Sequence, residues 1–145
     1  MIAKSFPERI RFFLAEDVRA ETTKPMIIGL FLDDIIVIEI PAEQPDPSKE
    51  APIVLQSIAI LSSFIRCKGS FEANISLYQP NGTAIFEHQK IDGGVESDQS
   101  EGMSNINFIA KFMPFSIFEF GQYRFVIKLD EQEYVYMFGI NRRNQ

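Results

Sequence analysis

The sequence predicts an all-β protein, a single domain over residues 1–145. The expected architecture is an antiparallel two-sheet β-sandwich, immunoglobulin-like or C2-like, with eight to nine strands. Three observations predict it. Most apolar segments alternate apolar and polar residues with period two, the spacing that sends successive side chains to opposite faces of a sheet. Turn residues separate these segments, most plainly at Gln79-Pro80-Asn81-Gly82 and Asp130-Glu131-Gln132. A length of 145 residues, 46% hydrophobic with 14 Phe, supplies one core without disulfide or metal staples.

Each element follows in chain order. Ile10, Phe12 and Leu14 alternate with Arg9, Arg11 and Phe13 in a first strand that Glu16-Asp17 ends. Met26 to Leu32 is apolar on both faces, as suits a central strand or a strand at a subunit contact. Ile35 to Ile40 is rich in β-branched residues, which favour the pleated backbone. Pro41 to Pro52 holds four prolines among charges and reads as an extended surface loop. Ile53 to Arg66 fits both a strand pattern and a helical stripe. We read it as a long strand, because Ser62-Ser63 and its isoleucines are poor helix formers. Phe71, Ala73, Ile75 and Leu77 alternate with Glu72, Asn74, Ser76 and Tyr78. A tight turn joins them to Thr83–His88, completing a hairpin. Lys90 to Ser104 is polar and glycine-bearing, hence a loop. Ile106, Phe108, Ala110 and Phe112 form one face of the next strand. Tyr123, Phe125, Ile127 and Leu129 form another, and Tyr134, Tyr136, Phe138 and Ile140 the last.

Composition excludes several functions. Twenty acidic residues outnumber fourteen basic ones, giving a net charge of −6. Nucleic-acid binding needs a cluster of Lys and Arg to neutralise phosphates, and the longest basic run here is Arg142-Arg143. Nucleic acid and anionic membrane surfaces are both disfavoured as partners. No apolar run approaches the ~18 residues of a spanning helix. One Cys excludes a multi-thiolate metal site, and one His removes most zinc and general-base chemistry, so no cofactor is expected. The N-terminal residues lack a charged lead and apolar h-region, so the expected setting is cytoplasmic. In that setting the sequons Asn74-Ile75-Ser76 and Asn81-Gly82-Thr83 have no use.

Two stretches resemble known proteins. Phe120-Gly121-Gln122-Tyr123-Arg124-Phe125-Val126-Ile127 resembles the late strands of immunoglobulin-like and C2-like sandwiches. There a Gly precedes a Tyr that packs at a corner with its hydroxyl on a backbone partner. The stretch Phe13 to Phe31, with its Glu16-Asp17-Val18-Arg19-Ala20-Glu21 step, Lys24 and the apolar-Gly-apolar run around Gly29, resembles the opening of a family of short bacterial proteins of unknown function. A proline-bearing loop and the turn Gln79-Pro80-Asn81-Gly82 extend the likeness, although Asp is usual where Gln79 stands. The resemblance implies a β-sandwich and no activity.

Four constellations could carry chemistry. Cys67 and His88 could form a nucleophile–base pair, but no orienting group is visible, and a small core or edge Cys with a hairpin-shoulder His is the favoured account. The doublets Glu16-Asp17 and Asp33-Asp34 offer carboxylates for a small hydrolase. Neighbours on a strand face opposite ways, so neither doublet is itself a catalytic pair, and solvated turn acids are the simpler account. Asp92, Glu96, Asp98 and Glu101 lie in a glycine-rich loop that could hold Ca²⁺ for ligand binding, yet without the regular spacing of a preformed site. Ile109 and Met113 fall on the otherwise polar side of a strand, either packed beneath a loop or exposed for a partner. The resulting expectation is a non-enzymatic binding or assembly module. Its partner is a protein or a second copy of the chain.

Overall fold

The computed structural model describes residues 4–20, 24–91, 95–98 and 102–145, with 95–98 described by backbone alone. It is all-β. Among the described residues twelve strands run in chain order: β1 Arg9–Ala20, β2 Pro25–Leu30, β3 Ile35–Ile40, β4 Ile53–Leu55, β5 Ile58–Cys67, β6 Ala73–Tyr78, β7 Ala84–Ile91, β8 Val95–Asp98, β9 Ser104–Phe112, β10 Phe115–Ile117, β11 Gly121–Leu129 and β12 Gln132–Asn144. One five-stranded sheet has the order β2-β1-β5-β9-β8, a second has β3-β12-β11-β6-β7, and β10 pairs with β4. Among the described residues no helix is long and apolar enough to cross a membrane.

Three short strands, β4, β8 and β10, raise the count above the eight or nine expected. Segments of three or four residues are too brief to show a period. The segment from Ile53 is strand, as read, but splits at Gln56-Ser57 into β4 and β5. Glu16 and Asp17 do not end the first strand, because Asp17 to Ala20 pair with Ile28 to Pro25 of β2, and the Asp17 carboxylate meets Lys111 of β9, N···O 3.2 Å. A further correction concerns direction. β3 runs parallel to β12, with Ile36 opposite Ile140, so the second sheet is mixed rather than antiparallel. Alternation reveals which face a side chain takes, not which strand lies beside it.

The two larger sheets share one core. Leu14 of β1, Ile58, Ile60 and Phe64 of β5, and Ile106 and Phe108 of β9 supply one side. Ile36, Ile75, Leu77, Phe125, Ile127, Phe138 and Ile140 supply the other. Aromatic rings bridge the gap. Phe12 stacks on Tyr136 with centroids 4.9 Å apart, and Phe64 meets Tyr134 edge-on at 5.3 Å. Such pairs add about 0.5–1.5 kcal/mol each beyond their buried area.

The corner before β11 has the arrangement its sequence suggested. Tyr123 is fully buried, and its hydroxyl donates to the Glu119 carbonyl at 2.7 Å. Burial first, and Glu119 second, push the phenol up to about 12. Gly121 is left-handed at φ 137°, and a Cβ there would come within 2.9 Å of the Pro80 ring, so only Gly lets the turn pass. One buried group is not matched. Ser62 of β5 sits in register between Phe12 and Phe108, and its Oγ has no hydrogen-bond partner among the described residues.

These two hydroxyls predict opposite signs. In denaturant unfolding, Tyr123→Phe should lower stability by about 1 kcal/mol with the m-value unchanged. Ser62→Ala should leave stability unchanged or raise it by up to about 1 kcal/mol, because it removes a polar group buried without compensation. A clear loss for Ser62→Ala would show that the hydroxyl has a partner.

Candidate functional site

The chain crosses from the first sheet to the second at Leu32-Asp33-Asp34. Asp34 holds a left-handed backbone, φ 57°, which Asp tolerates better than most residues. Its N–H donates to the Phe31 carbonyl at 3.3 Å, and its own carbonyl accepts from Gly139 N–H at 2.9 Å. Its carboxylate accepts from the buried Tyr136 hydroxyl at 2.5 Å. Burial, and then this hydrogen bond, hold the Tyr136 phenol far above its ordinary pKa. One residue thus joins the crossover to both β12 and the core.

Beyond this crossing, β3 is the end strand of the second sheet. The Asp34 carbonyl accepts from Gly139 N–H of β12, and the Ile40 carbonyl from Gln145 N–H just past its end. By alternation Ile36 and Ile38 also point their backbone groups at β12, so those of Ile35, Val37 and Glu39 point outward from the edge. The side chains of these three residues stand on the outer face, since Ile36 and Ile40 face the core. Val135 and Met137 of β12 share that outer face, and with Ile35 and Val37 they are 39–48% exposed. A cleft of about 440 Å³ opens over Gly139, lined by Asp33, Asp34, Ile35, Gln122, Met137 and Asn141. Arg143 ion-pairs with Glu39 at the far end of β3. The result is a short apolar stretch, Ile35 and Val37, on an open edge, with Asp33 and Asp34 before it and the Glu39–Arg143 pair after it.

A second cleft of about 440 Å³ lies at the β6–β7 turn, where Lys49, Gln79, Thr83 and Glu119 converge. Asn81 N–H donates to Glu119 Oε1 at 2.7 Å, so a carboxylate does serve this turn, though it comes from Glu119 rather than from residue 79.

The residues singled out from sequence are placed as follows. Cys67 is buried in β5, its thiol donating to the Ser104 carbonyl at 3.3 Å. His88 is exposed on β7 of the other sheet, with its N–H on Ser76 Oγ at 2.9 Å. The two do not meet. Of the four carboxylates, Asp33 and Asp34 share the cleft over Gly139, whereas Glu16 and Asp17 belong to β1. The Asp17 carboxyl is held below its ordinary value, first by its hydrogen bond to Lys111. Asp92 and Glu101 lie outside the described residues, and Glu96 and Asp98 fall in β8, described by its backbone. Ile109 forms a three-strand row with Leu61 of β5 and Phe13 of β1. It is partly buried against a small second cluster of Ala15, Val18, Ala59 and Leu61. Met113 stands past the end of β9 and is 72% exposed. The apolar stretch of β3 was not singled out. Its signal was present in Ile35 and Val37, both on the strand face opposite the core.

A family model described as a family of unknown function (DUF6941) matches residues 10–137. No curated protein and no solved structure matches the chain.

Two predictions follow from this geometry. Met113→Asp should leave unfolding stability within about 0.5 kcal/mol, whereas Ile109→Asp should cost about 2–4 kcal/mol because a charge enters the second cluster. Equal effects would contradict the placement. For pH, a carboxylate with a lowered folded pKa contributes stability above its unfolded value, near 4, and loses it as pH falls through the folded value. Stability in low salt should therefore fall more steeply below pH ~4 for the wild type than for Asp17→Asn. Parallel curves would show that the Lys111 pair contributes nothing.

Proposed function

We propose a non-enzymatic binding or assembly role for this chain, which belongs to the DUF6941 family of unknown function. One observation carries the reading. The outer edge of β3 joins outward backbone donors and acceptors to the exposed Ile35 and Val37, and Glu39 is the one charge within it.

Edge strands invite pairing with other chains, and proteins ordinarily blunt them with proline, bulges, charges or brevity. The remaining edges carry such guards. β2 begins at Pro25 and turns left-handed at Gly29. β7 carries Glu87, His88 and Lys90, with irregular pairing to β6. β8 carries Glu96 and Asp98 in four residues, and β4 and β10 have three residues each. β3, with the sequence Ile35-Ile-Val-Ile-Glu-Ile40, has no proline, no glycine and a single charge. Such an edge takes an extended segment as an added strand, with backbone bonds setting the alignment and apolar side chains supplying the drive.

On this reading the fold is an immunoglobulin-like sandwich, supported by the Tyr123 corner. The Ile109 row and Met113 serve as a second contact area of the same module. The partner is a protein or another copy of the chain.

Affinity capture from native extract tests the role. Wild type should retain a protein, or its own untagged copy, that a folded Val37→Asp variant loses and Lys90→Gln, on the charged β7 edge, keeps. Identical retention by wild type and Val37→Asp, or none by either, would contradict a role for the β3 edge.

A further inference from the structure

We infer that the cleft over Gly139 binds a primary ammonium carried on a short aliphatic chain. The site goes beyond the β3-edge reading, since it lies on the outer face of the sheet and needs no strand added to the edge. Three features of the cleft carry it.

The first is a missing side chain. Gln122 of β11, Gly139 of β12 and Ile35 of β3 form one row across three neighbouring strands. Adjacent strands lie about 4.8 Å apart, so Ile35 and Gln122 stand roughly 10 Å apart with no side chain between them. Met137 and Asn141 bound the gap along β12, two residues to either side on the same face. The result is a slot one side chain wide within the cleft of about 440 Å³. Nothing in the fold requires glycine there. Gly139 has no left-handed backbone, and a Cβ would meet only Ile35 and Asn141, at 3.6 Å or more, which is ordinary contact. Glycine inside a strand weakens it, and it often marks the close approach of a ligand.

The second is the sign of the lining. Asp33 and Asp34 are its charged residues, and among the described residues no Lys, Arg or His lines it. Two cations of the same sheet face are engaged elsewhere. Arg124, opposite Met137, lies over the Tyr78 ring at 4.3 Å, and Arg143 pairs with Glu39. Asp34 already accepts from the Tyr136 hydroxyl, which leaves Asp33 as the carboxylate for a ligand. Among the described residues no three His, Cys, Asp or Glu side chains gather as metal ligands. An organic cation therefore suits the cleft better than a metal ion, which takes several such oxygens.

The third is how the walls divide. Ile35 and Met137 are apolar and partly exposed, and Asp33 stands at the crossover just before Ile35. Gln122 and Asn141, on the remaining two sides, are amides that both donate and accept. Methylene groups lie against Ile35 and Met137, the ammonium meets Asp33, and the amides take any polar group at the other end. An unbranched chain matches the width of the absent side chain. A free aliphatic amine and the side chain of a lysine share this chemistry.

An amide chemical-shift titration tests the site, because it detects binding as weak as the millimolar range. The probes are n-butylammonium and a lysine blocked at both ends as amides. Each should shift the amides of Ile35, Gln122, Gly139 and Asn141 saturably within about 10 mM, whereas n-butanol, which lacks the charge, should not. Tighter binding of the blocked lysine assigns a protein side chain as the source, and tighter binding of the free amine a small molecule. Asp33→Asn should weaken binding about fivefold or more, by removing the charge at constant shape. Gly139→Ala should weaken it as much while circular dichroism stays that of the wild type, since its N–H still reaches the Asp34 carbonyl, 2.9 Å away. Wild type that shows no saturable shift with either amine at about 10 mM would overturn the inference, whether or not the variants fold. So would butanol binding as well as the amine, or amine binding unchanged in either folded variant.

Discussion

The structure depends on how the chain leaves the first sheet and enters the second, and Asp34 governs that step. Its left-handed backbone makes the bend, its carbonyl starts the parallel ladder with β12 through Gly139, and its carboxylate receives the Tyr136 hydroxyl. Tyr136 in turn stacks on Phe12 of the first sheet. The bend, the new strand and the aromatic bridge between sheets therefore share one short path of contacts. A hydrogen bond to a charged group is worth about 1.5–3 kcal/mol, enough to matter in a domain whose whole stability is of order 10 kcal/mol. This is a structural use for a carboxylate whose sequence context favours a solvated turn acid over a catalytic one.

The same step creates the surface on which the functional reading rests. A strand added in parallel at the end of a sheet satisfies its backbone on one side and leaves the other open. Net gains from backbone hydrogen bonds are small, because water already satisfies the exposed groups, so the open edge supplies direction more than affinity. The drive comes from the apolar stretch. Burying a half-exposed Val, Ile or Met more completely contributes about 1 kcal/mol each. On the proposed reading Ile35 and Val37 supply that drive, which a charged edge such as β7 lacks.

Much of this was legible in the sequence, and the boundary has physical causes. Period two gave the core faces of Phe71 to Tyr78, Ile106 to Phe112, and both strands of the last hairpin, because each segment is long and half-buried. The Tyr123 corner was legible because a Gly two residues before a buried Tyr is a local pattern. The three short strands were hidden by their length. The β3–β12 pairing was hidden because it joins residues about a hundred positions apart, and nothing local specifies a neighbour. In sequence, an interaction residue shows as an apolar side chain that breaks a polar face. Ile109 fits that pattern and is partly buried, while Val37 and Met137 do not show it because the stretches around them, residues 35–38 and 134–140, are apolar on both faces.

Residue-resolved amide exchange along β3 in dilute protein tests the central claim most directly, namely that this strand is pinned on one side and open on the other. The account predicts a strict alternation. The amides of Ile36, Ile38 and Ile40 should be protected by β12, and those of Ile35, Val37 and Glu39 should exchange at rates near those of unstructured chain. Uniform protection across the strand would mean that its outer edge is already covered within one copy. Uniform fast exchange would mean that the Asp34 crossover does not hold β3 against the sheet. Either result would contradict the account.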